Sequence, residues 1–434
     1  MKKEVIVIGG GLAGCEAAYQ IAKRGIKVKL YEMKPYEYSP AHNNSDLAEI
    51  VCSNSFKSNL ITNACGLLKE ELRIMDSLLI KIADETAVPA GQALAVNREK
   101  FSKKVTETIK NNANIEIIYE KVDEIPNDAI VVVATGPLTA EKLANNIAEI
   151  TGEDKLHFYD AAAPIIDGES IDYNIAFWAD RYGKGDANSY LNLPMNEKEY
   201  LDFYSALVSA EVTNLHEFEK KEIFEGCMPI EIMAKRGVDT LRFGPLKPVG
   251  FTDPRTGNRP YAIVQLRKEN VEASLFNMVG FQTNLKFGEQ KRVFSMIPGL
   301  KNALYVKYGV MHRNTYINSS KLLDNTYCLK DNNNIYFAGQ ISGVEGYVES
   351  IASGLVAGIN VARSINNQDK IIFPENTMIG CLSKYISTPN ENFQPMNANF
   401  GILIPLNEKI KDKKQRYEIM AQRSINEIIN YKNI

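Results

Sequence analysis

The sequence lacks long apolar runs and low-complexity tracts. Its apolar runs, such as residues 129–134, fall far short of the roughly 20 residues that cross a bilayer. The N-terminus leads directly into a strand-like segment, without the basic region and apolar core of a secretory signal. We therefore expect a cytoplasmic protein that makes no use of a membrane. With 434 residues, 45% of them hydrophobic, the chain is long enough for two or three domains.

Histidine is scarce, and cysteine is scattered. The four histidines do not cluster with the six cysteines, and the cysteines form neither a CxxC pair nor the spacing of zinc ligands. These absences argue against a disulfide framework and a structural metal. We expect no metal in this protein.

A strong net charge is also missing. The formal net charge of −3 argues against a dedicated nucleic-acid binder. The charges are unevenly distributed, however, because residues 231–313 contain seven Lys and seven Arg against six acidic residues, a local balance of +8. This asymmetry is typical of a basic face that attracts a polyanion, but it also fits cations spread over several solvated faces.

The chain opens with a βαβ pattern. Residues 4–8 read EVIVI, which is typical of a strand buried on both faces of a parallel sheet. The glycine-rich turn of residues 9–14 follows at once, and a helical segment at residues 15–24 ends at Gly25. Residues 26–32 form a second predicted strand. The pattern predicts a compact nucleotide-binding unit.

The rest of the chain departs from this pattern and then returns to it. Residues 66–82 and 97–110 are predicted helices, and residues 129–135 form another apolar strand closed by Gly136. Near residue 334 the strand IYFAGQ appears, followed by a helix of small residues at 348–365. The pattern predicts a nucleotide-binding domain that is interrupted by an insertion, and the two ends of this domain must meet in space.

Gly9, Gly11 and Gly14 form a GxGxxG motif between the first strand and the first helix. The first glycine permits the tight turn, the second lets the backbone approach a pyrophosphate, and the third lets the helix pack on the strand. The phosphates then bind at the positive end of the helix. Glu32 ends the second strand, where a carboxylate accepts ribose hydroxyls. The predicted cofactor contacts here are Gly9, Gly10, Gly11, Leu12, Ala13, Gly14 and Glu32.

The motif alone does not separate FAD from NAD or S-adenosylmethionine, but two further segments favour FAD. VVVATGP, which contains Gly136, resembles the middle strand of two-dinucleotide-fold flavoproteins. IYFAGQ, which contains Gly339 and Gln340, resembles their late strand, whose end contacts the flavin's ribityl and diphosphate groups. We predict FAD as the cofactor, with Gly136, Gly339 and Gln340 among its contacts.

These elements predict an α/β protein with four parts. A Rossmann-like FAD-binding domain of the two-dinucleotide flavoprotein type is formed by residues 1–150 and 301–370. An α/β insertion domain at residues 151–300, rich in Gly, Pro and aromatics, interrupts it and is predicted to bind RNA or another substrate. A C-terminal helical extension at residues 371–434 is predicted to pack on the FAD-binding domain.

Several longer segments carry a family resemblance. They are GGGLAGCEAA (9–18), LYEMKP (30–35), AEIVCSNSFKS (48–58), DETAVPAGQALAVNR (84–98), ATGPLT (134–139), EGCMPIE (225–231), YAIVQLR (261–267), NMVGFQTNLKFGEQKRVF (277–294) and YFAGQISGVEGYVESIASGL (336–355). By these segments the chain resembles the folate- and flavin-dependent tRNA (uracil-5-)-methyltransferases, which make 5-methyluridine in the T-loop of tRNA. The resemblance runs from residue 1 to beyond residue 355.

The resemblance implies a chemistry. The carbon donor would be 5,10-methylenetetrahydrofolate, and FAD reduced by NADH or NADPH would supply electrons. Because carbon 5 of uracil is a poor nucleophile, a thiolate must first add to carbon 6, and a base must later remove the carbon-5 proton. By the family match, Cys227 would be the nucleophile, and Cys52 the partner in proton removal or in protecting the flavin adduct. The remaining cysteines, Cys15, Cys65, Cys328 and Cys381, are predicted to be buried packing residues.

The substrate would be the T-arm of tRNA. Because the target base is buried in the folded T-loop, the enzyme must bind the arm through phosphate contacts and must expose the uracil. We look for these contacts in the basic region, with Arg255 and Arg259 as examples. Tyr347 either stacks on the isoalloxazine or folate or is a core aromatic. Three alternatives stay open: the same chemistry on ribosomal RNA, a small-molecule FAD oxidoreductase, and an RNA-binding flavoprotein without chemistry of its own. Oligomeric state, folate-binding residues and NADH or NADPH preference are open as well.

Overall fold

A computed structural model describes residues 4–153, 156–183, 189–213, 228–270, 272–391 and 393–432. The strands are β1 (Val5–Ile8), β2 (Val28–Glu32), β3 (Ser55–Ser58), β4 (Ala87–Val88), β5 (Ala93–Val96), β6 (Ile115–Tyr119), β7 (Ile130–Val133), β8 (Leu156–Ala161), β9 (Ile165–Asp167), β10 (Phe177–Trp178), β11 (Tyr190–Met195), β12 (Ala262–Lys268), β13 (Leu275–Met278), β14 (Tyr305–Lys307), β15 (Met311–Tyr316), β16 (Cys328–Leu329) and β17 (Asn332–Phe337). The α-helices are α1 (Leu12–Lys23), α2 (Ala64–Ile74), α3 (Leu78–Glu85), α4 (Arg98–Lys110), α5 (Glu141–Thr151), α6 (Glu197–Ser209), α7 (Ile230–Ala234), α8 (Thr240–Phe243), α9 (Phe287–Phe294), α10 (Ser319–Leu322), α11 (Tyr347–Ile365), α12 (Met378–Ser387) and α13 (Lys413–Ile428). Within these described residues, no helix has the length and apolar character needed to cross a membrane.

The first sheet joins strands from the N-terminal part of the chain with two strands, β16 and β17, that follow the insertion. Its strand order is β16-β17-β7-β1-β2-β6, with β6, β2, β1, β7 and β17 parallel and β16 antiparallel at one edge. All residues of β1 and β7 are buried, because helices cover both faces of such a sheet. The strand order reverses at β1, and the crevice beyond such a point is where nucleotides bind in α/β folds. The predicted α/β class with a Rossmann-like sheet is confirmed.

Glycines allow helices α1 and α11 to pack backbone against backbone. A Cβ on Gly354 would lie 2.3 Å from the carbonyl oxygen of Ala13, and one on Gly358 would lie 2.7 Å from that of Ala17. On the other side of α1, a Cβ on Gly14 would lie 1.8 Å from the carbonyl oxygen of Gly9. Side chains larger than hydrogen are therefore excluded at all three positions, and the first turn of α1 is fixed from both sides.

The predicted helix at residues 66–82 is wrong, because the structure has two helices there. The chain turns at Asp76, whose φ of 58° is left-handed. Ser77 then starts α3, and its hydroxyl accepts a hydrogen bond from the amide of Ile80. The buried carboxylate of Glu16 accepts from the Ser77 hydroxyl at 2.8 Å and from the Leu79 amide at 3.0 Å. Glu16, from a distant part of the chain, therefore stabilises the break between α2 and α3, and the spacing of apolar residues does not indicate this break.

A second, antiparallel sheet is formed by residues that lie between β7 and β16 in the chain. Its strand order is β10-β11-β12-β13-β9-β14, and it has a hydrophobic core of its own. Strand β14, which pairs with β9, extends this sheet past residue 300. Strand β15 then pairs with β8, before the chain enters the first sheet again. The domain limits at residues 150, 300 and 370 stay a prediction.

The C-terminal helices pack on α2. The carboxylate of Glu71 accepts hydrogen bonds from the amides of Met378 at 2.7 Å and Ile379 at 2.8 Å, at the start of α12. It also accepts one from the hydroxyl of Ser424 in α13. Burial raises the pKa of Glu71 to about 7. One buried carboxyl group therefore joins three helices that are distant in sequence.

The substitution Gly354→Ala tests the close packing of α1 and α11. We expect the free energy of unfolding to fall by about 1–3 kcal/mol, because the new methyl group forces α11 away from the Ala13 carbonyl. The measurement is urea unfolding followed by circular dichroism.

Gly288→Ala is the matched control, because a Cβ at this helical position meets no atom within 4 Å. It should be neutral or stabilise by up to about 1 kcal/mol. Equal effects of the two substitutions would contradict the packing argument.

Candidate cofactor and thiol site

A deep cleft opens beyond the carboxyl ends of β1, β7 and β17. The space between its walls, including the open mouth, is about 1170 Å³. All but one of the predicted cofactor contacts line it, namely Gly9, Gly10, Gly11, Leu12, Ala13, Glu32, Gly136, Gly339, Gln340 and Tyr347. Gly14 lies beneath the surface, packed on the Gly9 carbonyl.

The glycine turn presents the start of α1 to this cleft. Gly11 is the N-cap of α1, and neither a side-chain cap nor an acidic residue satisfies the first turn. A Cβ on Gly11 would meet no protein atom within 4 Å, so the open space in front of it belongs to the cleft. Backbone amides at the positive end of a helix suit a pyrophosphate.

Glu32 lies at the end of β2 and is buried in the cleft wall. One carboxylate oxygen accepts the amide of Gly10 and the other the amide of Lys34, both at 2.9 Å. These bonds fix the carboxylate plane and leave lone pairs on both oxygens. Those lone pairs can accept ribose hydroxyls, so the donor and acceptor set of the cleft fits FAD.

Several polar residues of the cleft wall have no local sequence signal and were not predicted. Lys34 is buried, and its ammonium donates to the carbonyls of Asn44 at 3.1 Å and Asp46 at 2.5 Å. The Ser39 hydroxyl and the His42 Nδ1 lie 2.5 Å apart on the same wall. The position of Lys34, two residues after Glu32, was the one sequence feature that could have indicated its place in the cleft wall. Residues 39–49 return to the cleft through tertiary contacts, which leave no local pattern in the sequence.

Residues 50–54, the Cys52 loop, are fixed beside the cleft. The Arg98 guanidinium donates to the carbonyls of Ile50 and Val51, each at 3.0 Å. The Tyr347 hydroxyl accepts the amides of Cys52 at 2.9 Å and Ser53 at 3.1 Å. The Tyr347 ring lines the cleft, so this residue connects the cofactor space to the thiol loop.

The second sheet also forms hydrogen bonds with the Cys52 loop. Arg267 of β12 is buried and donates to the Asn54 side-chain oxygen at 2.8 Å and to the Ser53 hydroxyl at 2.5 Å. Arg98 also pairs in a two-point contact with Glu269, at 2.5 and 3.1 Å. The Cys52 loop is therefore part of the contact between the two sheets.

Cys52 differs from the other described cysteines. It is half-buried, and both Arg98 and Lys307 interact with it electrostatically. The buried cysteines are Cys15, Cys65, Cys328 and Cys381, as the sequence predicts. Burial raises the pKa of each of these thiols, that of Cys65 to about 12.

Three predicted site residues are not among the residues that line the described cleft, and one of them has no described position. Cys227 falls outside the described residues. Arg255 is exposed in the loop after α8 and pairs with Asp253 at 2.8 Å, and Arg259 is exposed in the same loop. Neither arginine lines the cleft. Within the described part of the chain, no three His, Cys, Asp or Glu side chains are grouped as metal ligands.

The switch in strand order at β1, the uncapped glycine turn and the carboxylate at the end of β2 define a dinucleotide-binding protein. Gly136 and Gly339, which follow β7 and β17 and line the same cleft, make it one of the flavoprotein type. Comparison with known proteins specifies the family. Residues 4–369 match the family model described as GIDA, glucose inhibited division protein A. The chain therefore belongs to this family, and its full-length relatives identify the branch.

These relatives are named methylenetetrahydrofolate–tRNA-(uracil-5-)-methyltransferase TrmFO. The chain is 60% identical to the protein of Acetivibrio thermocellus, with 98% of each chain covered. It is 58% identical to that of Staphylococcus saprophyticus, over 100% of this chain and 99% of the relative. Among solved structures, GidA of Aquifex aeolicus has a TM-score of 0.73 at 17% identity, covering 100% of this chain and 73% of that one, which shows the shared fold.

Gly11→Ala tests whether the pyrophosphate lies against the glycine turn. The apoprotein should keep its unfolding midpoint, because the new Cβ meets no protein atom. FAD affinity should fall by about tenfold or more, because the methyl group occupies the space of the ligand. FAD titration monitored by flavin fluorescence measures the affinity.

Gly14→Ala is the contrasting variant, since its Cβ would lie 1.8 Å from the Gly9 carbonyl oxygen. It should lower both the unfolding midpoint and FAD affinity. Unchanged FAD binding by Gly11→Ala would remove the pyrophosphate from this turn.

Tyr347→Phe tests the attachment of the Cys52 loop. Two loop amides lose their acceptor, so the loop should loosen and Cys52 should react several-fold faster with iodoacetamide. Mass spectrometry of the alkylated peptides measures the rate for each cysteine. Tyr385→Phe is the control, because its hydroxyl donates to the Gln394 carbonyl instead. Equal rates in both variants would contradict this attachment.

Proposed function

We propose that this enzyme methylates carbon 5 of a uridine in the T-loop of tRNA. It takes the carbon from 5,10-methylenetetrahydrofolate and uses FAD reduced by NADH or NADPH. The proposal is supported by full-length relatives named for this reaction and by the fit of the cleft to FAD. We also propose that the reaction takes place in the cytoplasm.

The observation that carries the proposal is the position of the Cys52 loop. Tyr347 lines the cofactor cleft and holds the amides of Cys52 and Ser53. Val51 of this loop lines the cleft. A methyltransferase of uracil needs a thiol in such a position, because activating the base and removing its proton require groups close to the carbon donor.

We assign the first step to Cys227, on the family resemblance. Its thiolate adds to carbon 6 of uracil, and the electron pair of the 5,6 double bond moves toward the carbon-4 oxygen to give an enolate. Carbon 5 of this enolate bonds to the donated one-carbon unit. Loss of the carbon-5 proton then allows the bond between the one-carbon unit and its folate nitrogen to break, so that tetrahydrofolate leaves with the bonding pair. Addition of a hydride equivalent to the remaining methylene group breaks the bond between sulfur and carbon 6, which restores the ring and frees Cys227.

We assign the handling of the carbon-5 proton to Cys52. Arg98 and Lys307 are the cations that act on this thiol, and a nearby positive charge favours the thiolate that can accept a proton. Burial lowers the pKa of Lys307 itself. FAD held against the glycine turn and Glu32 would, once reduced, provide the electrons that turn the transferred methylene group into a methyl group.

The RNA arm is expected to bind at the basic region of residues 231–313. Arg255 and Arg259 in the exposed loop are proposed phosphate contacts. Such contacts position a folded RNA without reading its sequence, and the target base must leave the T-loop to reach the thiols.

The assignment is tested with the FAD-loaded enzyme, NADH or NADPH, methylenetetrahydrofolate and a tRNA transcript tritiated at uracil carbon 5. We expect one tritium released for each 5-methyluridine formed, because the methyl group replaces that hydrogen. Scintillation counting and nucleoside mass spectrometry measure the two products.

Variants separate the roles of the thiols. Cys227→Ala and Cys52→Ala should each lower tritium release by at least about 100-fold, while the control Cys381→Ala, a buried packing residue, should retain it. Full release by Cys227→Ala would remove that residue from its role. Absence of both products with every tRNA would overturn the assignment, and methylation of a ribosomal RNA fragment alone would redirect it.

A further inference from the structure

Three aromatic rings form a continuous stack at the edge of the second sheet. The Tyr308 ring lies between those of Phe287 and Tyr305, with centroid separations of 5.0 and 5.4 Å and interplanar angles of 18° and 16°. We call these three residues the ring stack. Its inner end, Tyr305, packs against the core of the second sheet. Its outer end, Phe287, is 56% exposed to solvent.

The segment that carries two of the three rings also carries a cation that acts on the thiol loop. Lys307 lies in sequence between Tyr305 and Tyr308, and its side chain interacts electrostatically with Cys52, Arg98 and Glu49. Glu49 lines the cofactor cleft. The ring stack is therefore adjacent in the chain to a residue within electrostatic range of Cys52.

The charge around the stack is positive. Residues 286–308 contain five cationic side chains and one carboxylate, although the whole chain carries a net charge of −3. Lys286 pairs with Glu211 and Arg292 pairs with Glu289, while Lys291 and Lys301 are exposed. With Glu211 included, five cations stand against two carboxylates, and this excess of positive charge complements a polyanion.

Phe287 differs from an isolated exposed apolar residue because its flat ring is stacked on one face and offers its other face. Nucleobases stack on such rings regardless of their sequence, while nearby cations bind the backbone. We propose that Phe287 is the outer step of a stacking platform for an unpaired nucleobase of the substrate RNA, beside the target uridine. This inference rests on the proposed function, and it specifies where the RNA is held.

The experiment uses the full-length, FAD-loaded enzyme and a T-arm RNA hairpin. 2-Aminopurine replaces one unpaired loop base at a time, because stacking quenches its fluorescence. Phe287→Ala should abolish quenching at one loop position and weaken RNA affinity on the order of ten- to hundredfold. The KM for methylenetetrahydrofolate should stay unchanged, and Phe287→Trp should restore both quenching and affinity. Ile372→Ala, which truncates another exposed apolar residue, is the matched control.

The outcomes separate the platform from the reaction. A wild-type enzyme that methylates the hairpin, together with a Phe287→Ala variant that binds it equally well, overturns the platform and leaves the proposed function standing. A higher KM for folate with unchanged RNA affinity also overturns it, because the ring would then bind the pterin. A wild-type enzyme that neither binds nor methylates any tRNA contradicts the proposed function itself.

Discussion

The close contact between the backbones of α1 and α11 is the constraint on which the cofactor cleft depends. It requires hydrogen in place of a side chain at Gly354 and Gly358, opposite the carbonyls of Ala13 and Ala17. Gly14 makes the same demand on the β1 side of α1. Because the start of α1 is held between β1 and α11, its free amides point to one place at the carboxyl edge of the sheet. The dinucleotide binds where these amides converge.

A second constraint is the sharing of the Cys52 loop between the two sheets. Its carbonyls are bound by Arg98, its amides by Tyr347 and its polar side chains by Arg267. The buried pair of Arg98 and Glu269 satisfies charges that burial would otherwise make costly. The thiol therefore does not depend on either sheet alone, and the cofactor wall, the thiol and the substrate-side sheet have one fixed geometry.

Local sequence patterns predicted the fold class and most of the cleft. The fully apolar strands, the glycine turn and the late IYFAGQ strand are signals that depend only on neighbouring residues, and Gly9, Glu32 and Gly339 lie on the cleft as expected. Lys34, Arg98 and Arg267 were missed because their partners are distant in sequence. The break at Asp76 was missed for the same reason, since Glu16 stabilises it from another helix. β14 extends the second sheet past residue 300. This strand was not predicted, because three residues with one exposed side chain have no distinct sequence pattern.

The strand order of the first sheet also determines when the cofactor site is completed during synthesis. β17 pairs with β7 through Ile335 and Val131, and the whole insertion separates these strands in the chain. Gly339, Gln340 and the packing face of α11 follow β17. A ribosome that has released only the first half of the chain has made the glycine turn but not the wall opposite it. The pairing of distant segments is slow, and the apolar face of α1 stays uncovered until α11 emerges. FAD loading is therefore a late event in the life of the nascent chain, and a truncated chain that ends before β17 cannot form a closed cofactor cleft.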